Sequence, residues 1–247
     1  MKDLLSHAVS KLYHYCYPLY YPVYKTWKAC SERGERKLFR QSIKPEMTVV
    51  DVGANIGVYT RYFCRLVGNS GSVHSFEPDS TNFKHLQKNT RHLSNVVINH
   101  SAVGERCGSI KLYISDAMNV DHRTFDSGDG RRSIDVRVLS LDDYFQPGQP
   151  IDFIKIDVQG YELSVLKGAR RILTENRNIK ILMEFWPYGL TKASVVPCDV
   201  IELLLSLGFT IRNISESKGL PFDGTGFNPL SARDYCNLII TRQLGNE

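Results

Sequence analysis

The sequence lacks closely spaced cysteines. Its six cysteines form no Cys-x-x-Cys pair and are spread over a chain of 247 residues. They are Cys16, Cys30, Cys64, Cys107, Cys198 and Cys236. Such wide spacing is typical neither of a zinc site nor of a scaffold held by several disulfides. We therefore expect free thiols in a reducing compartment and a cytoplasmic protein.

Long apolar runs and basic runs are also lacking. No stretch approaches the roughly 18 apolar residues of a membrane span, and the first residues do not have the order of a secretion signal. The net charge is +5, from 31 Lys and Arg against 26 Asp and Glu. These basic residues are scattered rather than gathered in an arm that binds nucleic acid. The composition thus predicts no transmembrane segment and no nucleic-acid partner.

From Thr48 onward, short β-branched runs alternate with longer helical patterns. This order is typical of βαβ units and predicts an α/β fold around a parallel sheet. Two late strands, Phe209–Ile214 and Asn237–Thr241, suit a reversed pair at one edge of that sheet. The predicted core strands are Thr48–Val52, Val73–Phe76, Val96–Asn99, Phe153–Ile156 and Lys180–Phe185. The predicted helices are Val58–Val67, Ser80–Thr90, Tyr161–Asn176 and Val200–Leu207.

A tyrosine-rich segment precedes this domain, so we divide the chain into a helical segment over residues 1–45 and a main domain over residues 46–247. Its tyrosines are Tyr13, Tyr15, Tyr17, Tyr20, Tyr21 and Tyr24. Prolines and basic residues interrupt the segment, which excludes a transmembrane helix. It could close over a substrate, face a second subunit in a homodimer, contact lipid headgroups, or pack against the main domain.

Two alternating segments, Ser109–Ile114 and Ser133–Ser140, flank a long polar stretch. This pattern predicts a hairpin inserted into the domain, with a long connecting loop. Long loops in compact domains often carry function, which makes several polar residues candidates for contact with a substrate. These candidates are Asn119, Asp121, His122 and Arg123.

The most informative segment is the glycine turn after the first strand. Gly53 and Gly57 lack a Cβ, so the backbone can approach a ligand closely there. The turn fails the dinucleotide pattern G-x-G-x-x-G, because Asn55 and Val58 occupy two of its glycine positions. Asp51, just before the turn, would repel a pyrophosphate but can help to hold a cationic amino-acid moiety. The turn therefore predicts a nucleotide-like, cationic ligand rather than NAD.

A second carboxylate, Glu77, follows the next strand and precedes Pro78. Its separation from the glycine turn is about that at which α/β nucleotide folds place the acid that binds ribose hydroxyls. One carboxylate can accept hydrogen bonds from both hydroxyls. The two acids, in register with a βαβ unit, strengthen the prediction of a nucleotide-like ligand.

Between Thr48 and Tyr188 the chain resembles the FkbM-type methyltransferases, which belong to the class I enzymes that use S-adenosylmethionine. The residues that carry the resemblance are Asp51–Gly57, Phe76–Pro78, Ser101–Gly104, Phe153–Glu162 and Leu166–Ala169. The most specific block is Phe153–Glu162, which reads F-I-K-I-D-V-Q-G-Y-E. Many family members have Glu where this chain has Gln159.

The resemblance implies a doubly wound, mostly parallel seven-stranded sheet, Rossmann-like, with a reversed last strand. It also implies methyl transfer from S-adenosyl-L-methionine, most often to a hydroxyl oxygen of a sugar, a glycolipid or a polyketide. In that case the glycine turn binds the methionine part of the donor, Glu77 the ribose, and Ser101 with Ala102 the adenine. The implied donor-binding residues are Asp51, Gly53, Ala54, Asn55, Gly57, Glu77, Pro78, Ser101 and Ala102.

Three residues are candidates for the catalytic step. Asp157 follows the fourth core strand, and burial there would raise its pKa towards the range of a general base. A competing hypothesis makes Asp157 the N-cap of the next helix. His122 titrates near neutrality and is a second candidate base. Glu184 could orient the acceptor or join Asp157 at a divalent cation, although we do not expect a metal.

The leading hypothesis is thus an O-methyltransferase that acts on a small-molecule hydroxyl. A non-catalytic module that binds S-adenosylmethionine would keep the donor pocket without any transfer. A nicotinamide-dependent oxidoreductase would share the sheet, but the failed glycine pattern and Asp51 argue against it.

Overall fold

Strands and helices alternate from Thr48 onward in the computed structural model, which describes residues 12–13, 15–115, 119–214, 222, 224, 228, 231–232 and 234–242. The strands are β1 (Thr48–Val52), β2 (Ser72–Phe76), β3 (Val96–Asn99), β4 (Ala102–Val103), β5 (Gly108–Tyr113), β6 (Ser133–Leu139), β7 (Phe153–Ile156), β8 (Lys180–Phe185), β9 (Phe209–Asn213) and β10 (Cys236–Arg242). The helices are α1 (Tyr17–Ser31), α2 (Arg33–Ser42), α3 (Val58–Val67), α4 (Ser80–Thr90), α5 (Leu141–Tyr144), α6 (Glu162–Lys167), α7 (Arg170–Glu175), α8 (Pro187–Lys192) and α9 (Pro197–Ser206).

The main sheet has seven strands within the described residues, in the order β3-β2-β1-β7-β8-β10-β9. The pairs from β3 to β8 are parallel, and β10 is antiparallel to both of its neighbours. The mostly parallel sheet and the reversed last strand are therefore confirmed. After β1 the chain builds outward through β2 and β3, and it later returns to the other side of β1 as β7. Ligands of such sheets bind where the strand order reverses in this way, beyond the carboxyl ends of the strands.

Both faces of the sheet are covered, which explains its nearly continuous apolar strands. Successive side chains of a strand point to opposite faces. Val49 and Phe153 accordingly pack with α2 and α3, whereas Val50 and Ile154 pack with α6, α7 and α9. A parallel sheet buried on both sides needs apolar residues at consecutive positions, and β1 and β7 have them.

The predicted hairpin forms a small second sheet. β5 and β6 pair antiparallel from Gly108 with Val138 to Tyr113 with Ser133, and β4 joins β6 in parallel. The loop between β5 and β6 folds back on the hairpin, because Tyr113 and Arg123 bond to each other through their backbones. The Asn55 side chain, just after β1, donates a hydrogen bond to the Asn119 backbone oxygen, which places the loop at the end of the main sheet where β1 finishes.

The prediction of one continuous helix over Tyr161–Asn176 is wrong. The structure contains two short helices, α6 and α7, which are separated at Gly168 and Ala169. A Cβ on Gly168 would lie 1.9 Å from the carbonyl oxygen of Gly104, so this backbone approach requires glycine. The N-cap hypothesis for Asp157 is also wrong, because the cap of α6 is Tyr161.

The tyrosine-rich segment packs against α4 through Tyr13 and Tyr17. Tyr17 stacks on His85 with 3.5 Å between the ring centroids, and the amide of Asn89 donates a hydrogen bond of 2.7 Å to the Tyr17 hydroxyl. The Tyr13 hydroxyl donates one of 2.7 Å to Asn82 Oδ1. Residues 1–11 of the tyrosine-rich segment lie outside the described residues. None of the helices described here is long and apolar enough to cross a membrane.

Candidate functional site

A cavity of about 950 Å³ lies at the carboxyl ends of β1, β2, β7 and β8. This is the switch point of the sheet, and the volume is in the range of small-molecule sites. The residues proposed from the sequence that line it are Asp51, Gly53, Ala54, Asn55, Glu77, Pro78, Ser101, Ala102, His122, Asp157 and Glu184. Gly57 is not one of its lining residues. A Cβ on Gly57 would lie 2.7 Å from Leu86 Cδ1, so its conformation serves the packing of α3 against α4.

The glycine turn holds two strand ends together. Gly53 has a φ of +79°, and a Cβ there would lie 1.9 Å from the backbone oxygen of Asp157. Only glycine allows this approach, which brings the ends of β1 and β7 into one wall of the cavity. Asn55 also has a positive φ, of +51°. In this conformation the backbone N–H of Asn55 points towards Glu77.

Glu77 is buried at the end of β2 with both carboxylate oxygens in use. It accepts hydrogen bonds from the backbone N–H groups of Asn55, at 2.7 Å, and Asp79, at 2.9 Å. Each carboxylate oxygen has two acceptor positions, so each can accept one more hydrogen bond. Burial raises the pKa of Glu77 to about 8. At neutral pH Glu77 therefore largely keeps its proton in the ligand-free protein, and two neighbouring hydroxyls that donate from the cavity would stabilise its ionised form.

Two buried oxygens on the cavity wall have no hydrogen-bond partner within the described part of the chain. They are Oδ1 of Asp51 and Oγ of Ser101. The other oxygen of Asp51 accepts a hydrogen bond of 2.7 Å from the Thr60 hydroxyl. Buried polar atoms are nearly always paired, so these two indicate a missing ligand. The Lys155 ammonium lies 3.9 Å from Asp51 Oδ1, which is too far for a hydrogen bond. An ammonium group at Asp51 and an adenine at Ser101 would satisfy the two oxygens, so S-adenosylmethionine fits the polar atoms of this wall.

Asp157 and Glu184 form an acidic pair at the ends of β7 and β8. Gln159 joins them, since its Nε2 donates to Asp157 Oδ1 at 3.1 Å and to Glu184 Oε2 at 2.6 Å. Lys155 Nζ lies 3.2 Å from Asp157 Oδ2. Gln159 has a φ of +53°, a left-handed conformation that costs a non-glycine residue about 1 kcal/mol or more. The two hydrogen bonds of Gln159 therefore accompany a strained backbone conformation that places its amide between Asp157 and Glu184.

The two acids have opposite pKa shifts. Burial raises the pKa of Asp157, but the charges of Lys155 and Lys28 outweigh that effect and leave it below its ordinary value. The sequence-based expectation of a raised pKa for Asp157 was therefore wrong. Burial and the neighbouring Asp157 charge raise the pKa of Glu184 to about 8. At neutral pH, Asp157 is a carboxylate and Glu184 largely keeps its proton.

His122 is arranged as a donor. Its Nδ1 accepts a hydrogen bond of 3.1 Å from the Ser115 backbone N–H, so the neutral ring carries its proton on Nε2. That Nε2 lies 3.9 Å from Asp79 Oδ1. Burial lowers the pKa of His122. Gaining a second proton would break the bond to Ser115, which makes His122 a poor base in this geometry.

The hairpin loop forms one wall of the cavity and is fastened at Asn119. The backbone oxygen of Asn119 accepts from the amides of Asn55, at 2.7 Å, and Asn82, at 2.9 Å. Its side chain accepts from the Tyr20 hydroxyl at 3.0 Å. Asp121 pairs with Arg123 at 2.7 Å and with Arg131 at 2.8 Å. The sequence-based candidates of this loop, Asn119, Asp121, His122 and Arg123, all line the cavity.

Two lysines at the site were missed by the sequence analysis. Lys155 is buried within the apolar strand β7, and its ammonium lies between Asp51 and Asp157. A lysine inside an apolar strand was a usable signal, because lysine is rarely buried without a partner. Lys28 lies on α1, pairs with Glu32 at 3.1 Å and lies 5.0 Å from the ring centre of Tyr59. No feature of the sequence placed α1 at this cavity.

No group of three or more His, Cys, Asp or Glu residues that could hold a metal ion occurs among the described residues. Asp157 and Glu184 meet through the Gln159 amide instead. An amide NH₂ donates to both carboxyl groups and occupies the position between them. The pair is therefore organised by a hydrogen-bond donor.

We predict that the thermal unfolding temperature of the ligand-free protein falls between pH 6 and pH 9. Burial raises the pKa values of Glu77 and Glu184 to about 8 and that of Glu162 to about 7, from an ordinary value of 4.5. A raised acid pKa means that the folded state keeps protons that the unfolded state has lost. The free energy of unfolding is thus highest below the pKa of these acids in the unfolded chain. It falls as the pH rises through their pKa values in the folded protein. Scanning calorimetry at three pH values measures this slope, and Glu162→Gln should flatten it. A constant or rising unfolding temperature would contradict the shifts.

Comparison with known proteins gives the family. Residues 51–211 match the model of the methyltransferase FkbM domain. The hexuronic acid methyltransferase AglP of Haloferax volcanii is 27% identical over 189 residues, which are 74% of this chain and 72% of that protein. The 2-O-methyltransferase NoeI of Sinorhizobium fredii is 28% identical over 165 residues, which are 58% of this chain and 67% of that protein.

A solved structure from Clostridium thermocellum, described as an rRNA methylase, has the same fold. It superposes with a TM-score of 0.51 at 14% identity, over 84% of this chain and 92% of that one. At this identity the likeness shows the fold alone. The family match covers more than half of the chain and decides against the nicotinamide-dependent oxidoreductase. The chain therefore belongs to the FkbM methyltransferase family, and it is an S-adenosylmethionine-dependent methyltransferase.

Proposed function

We propose that the protein methylates a hydroxyl of a sugar, either free or as part of a glycolipid or a secondary metabolite such as a polyketide. The observation that carries this proposal is the pair of Asp157 and Glu184 on the cavity wall, with one acid ionised and the other protonated. Acids with pKa values shifted in opposite directions within one cavity are typical of catalytic sites. The names of AglP and NoeI, a hexuronic acid methyltransferase and a 2-O-methyltransferase, support the same substrate class.

The donor half of the site comprises the glycine turn and the two wall residues with unpaired oxygens. Asp51 would hold the ammonium group of the donor, Glu77 its ribose hydroxyls, and Ser101 with Ala102 its adenine. When bound, S-adenosylmethionine supplies a methyl group for an in-line displacement. The enzyme's contribution to such a reaction is mainly alignment of the acceptor and removal of its proton.

On the acceptor half, Asp157 takes the proton of the attacking hydroxyl. A hydroxyl oxygen becomes strongly acidic as it forms a new bond to carbon, so a carboxylate of low pKa is a sufficient base. Glu184 in its protonated form donates a hydrogen bond to a neighbouring oxygen of the same acceptor. An acceptor with adjacent hydroxyls, as in a sugar, satisfies both acids at once.

The remaining walls suit a carbohydrate. Aromatic side chains stack well on sugars, because the flat face of the aromatic ring packs against the weakly hydrated C–H face of the sugar ring. The cavity is lined by several aromatic side chains, among them Tyr24, Trp27, Tyr59, Trp186 and Tyr235. Arg123 lies over the Trp186 ring at 5.1 Å from its centre and is a donor for acceptor oxygens.

The test is an acceptor screen with S-adenosylmethionine and the purified protein, starting with hexuronic acids and neutral hexoses. We expect a product heavier by one CH₂ unit, and magnetic resonance should place the new methyl group on oxygen. The matched control is the deoxy sugar that lacks the methylated hydroxyl, which should give no product. Transfer only to nitrogen or to nucleic acid would contradict the proposal. Donor binding without transfer to any acceptor would favour the non-catalytic module.

A further inference from the structure

The outward face of α1 has no charged residue. The structure describes every residue of this helix, and its exposed positions are Pro18, Leu19, Pro22, Val23, Thr26, Trp27, Cys30 and Ser31. Helix faces that contact water usually carry charged side chains. Leu19, Val23 and Trp27 are each about 60% exposed, at 59%, 60% and 60%, and they follow one another at intervals of four residues. They therefore form one apolar stripe along the helix.

One edge of the exposed face of α1 is basic. Lys25 lies on α1 at the edge formed by Pro18 and Pro22. Arg61 of α3 donates a hydrogen bond of 3.0 Å to the Tyr21 hydroxyl of the same helix. Burial and then the charges of Arg65, Arg61 and Arg36 lower the pKa of Lys25, which shows that these cations lie close together. The acids nearest in sequence, Glu32 and Glu35, are directed elsewhere, to Lys28 and Asn237.

The other edge of the exposed face reaches the cavity. Val23 and Trp27 are exposed on the helix surface and also line the cavity, together with Tyr20 and Tyr24. A surface that covered the stripe would therefore lie at the mouth of the cavity. The helix thus presents, from one side to the other, a group of cations, an apolar stripe and the entrance to the site.

We propose that this face of α1 docks on a lipid bilayer with anionic headgroups. Aromatic and aliphatic side chains flanked by cations are the composition with which helices bind in the plane of such a surface. Tryptophan and tyrosine favour the interfacial layer in particular. A second copy of the chain would bring a second group of cations to the same interface, where like charges repel, whereas anionic headgroups neutralise them.

Docking in this position places the mouth of the cavity against the headgroup layer. An acceptor sugar attached to a lipid could then enter the cavity without leaving the membrane. This consequence rests on the proposed function, whereas the docking itself does not. The two are separable, since vesicle binding requires no acceptor and the acceptor screen requires no vesicle.

The experiment is sedimentation of the full chain with vesicles of phosphatidylcholine, either alone or mixed with phosphatidylglycerol. We expect binding to the mixed vesicles and a blue shift of the Trp27 fluorescence, because only Trp27 of the two tryptophans is exposed. Leu19→Asp should weaken binding about tenfold or more. The matched control is Leu205→Asp on α9, where the leucine is 52% exposed and remote in sequence, and binding should not change.

Titration with S-adenosylhomocysteine checks that both variants fold, because neither leucine lines the cavity. Absence of binding to the mixed vesicles would overturn the proposal. An equal loss in the two variants would also overturn it, since the effect would then not belong to α1. So would a dimer in solution that Leu19→Asp converts to a monomer, which would assign the stripe to a second copy of the chain.

Discussion

Asp157→Asn should lower kcat by about 10²- to 10⁴-fold while S-adenosylmethionine binding stays nearly unchanged. The substitution keeps the shape of the side chain but removes the anion that accepts the proton of the acceptor. Asp157 lines the cavity at the end of β7, and Lys155 keeps it ionised. The measurement is steady-state methyl transfer to the acceptor found in the screen, together with calorimetric titration of the donor.

A matched control for this variant is Asp152→Asn. Asp152 lies at the other end of β7, where its carboxylate accepts a hydrogen bond of 2.8 Å from the Thr48 backbone N–H. This substitution tests the cost of losing a structural carboxylate on the same strand, and kcat should change little. If Asp157→Asn raised KM and left kcat intact, Asp157 would bind the acceptor without taking its proton. If both variants lost activity equally, the effect would be one of folding.

The second large effect is expected at Glu77. Glu77→Gln should weaken S-adenosylmethionine binding about 10- to 100-fold, because donation from two hydroxyls favours the ionised form of Glu77. Each hydrogen bond to that form contributes about 1.5–3 kcal/mol, of which the amide retains only part. The amide oxygen can still accept one of the backbone N–H groups that Glu77 now binds. Calorimetric titration gives the change in Kd.

Glu162→Gln is the matched control for Glu77. Glu162 is equally buried and accepts a hydrogen bond of 3.0 Å from the Gly160 backbone N–H, but it does not line the cavity. The Glu162→Gln variant should bind S-adenosylmethionine with the affinity of the wild type. A Glu77→Gln variant with unchanged donor affinity would contradict the assignment of Glu77 to the ribose.

The strands of the sheet were predictable from local sequence. β1, β3, β7 and β8 have the predicted bounds, because each is a short β-branched or aromatic run between turn residues. The break at Gly168 in the helix after β7 could not be predicted from the local sequence. The amphipathic spacing continues across that residue, while the contacts made there, with the Gly104 backbone and with Asp142 N–H, are with residues distant in the sequence.

The protonation state of Asp157 depends on contacts with residues that are distant in the sequence as well as with its neighbours. Apolar neighbours on β7 predicted a raised pKa for Asp157, but the charges of Lys155 on the same strand and Lys28 on α1 lower it. Lys28 lies at the site because α1 is docked on the domain, with Tyr17 on His85 of α4 and Tyr20 on Asn119, and no local pattern specifies those contacts. The loop around Asn119 lines the cavity, and its contact with a substrate stays a prediction, while its bonds to Asn55 and Tyr20 required the folded chain.

The most direct test of the central claim is calorimetric titration of the wild-type protein with S-adenosylmethionine and S-adenosylhomocysteine, with NADH as the control. The account predicts micromolar, saturable binding of both sulfur compounds and none of NADH, since Asp51 repels a pyrophosphate and Gly53 begins a turn without the dinucleotide pattern. Binding of NADH in place of the sulfur compounds, or binding of none of the three by a folded protein, would contradict it.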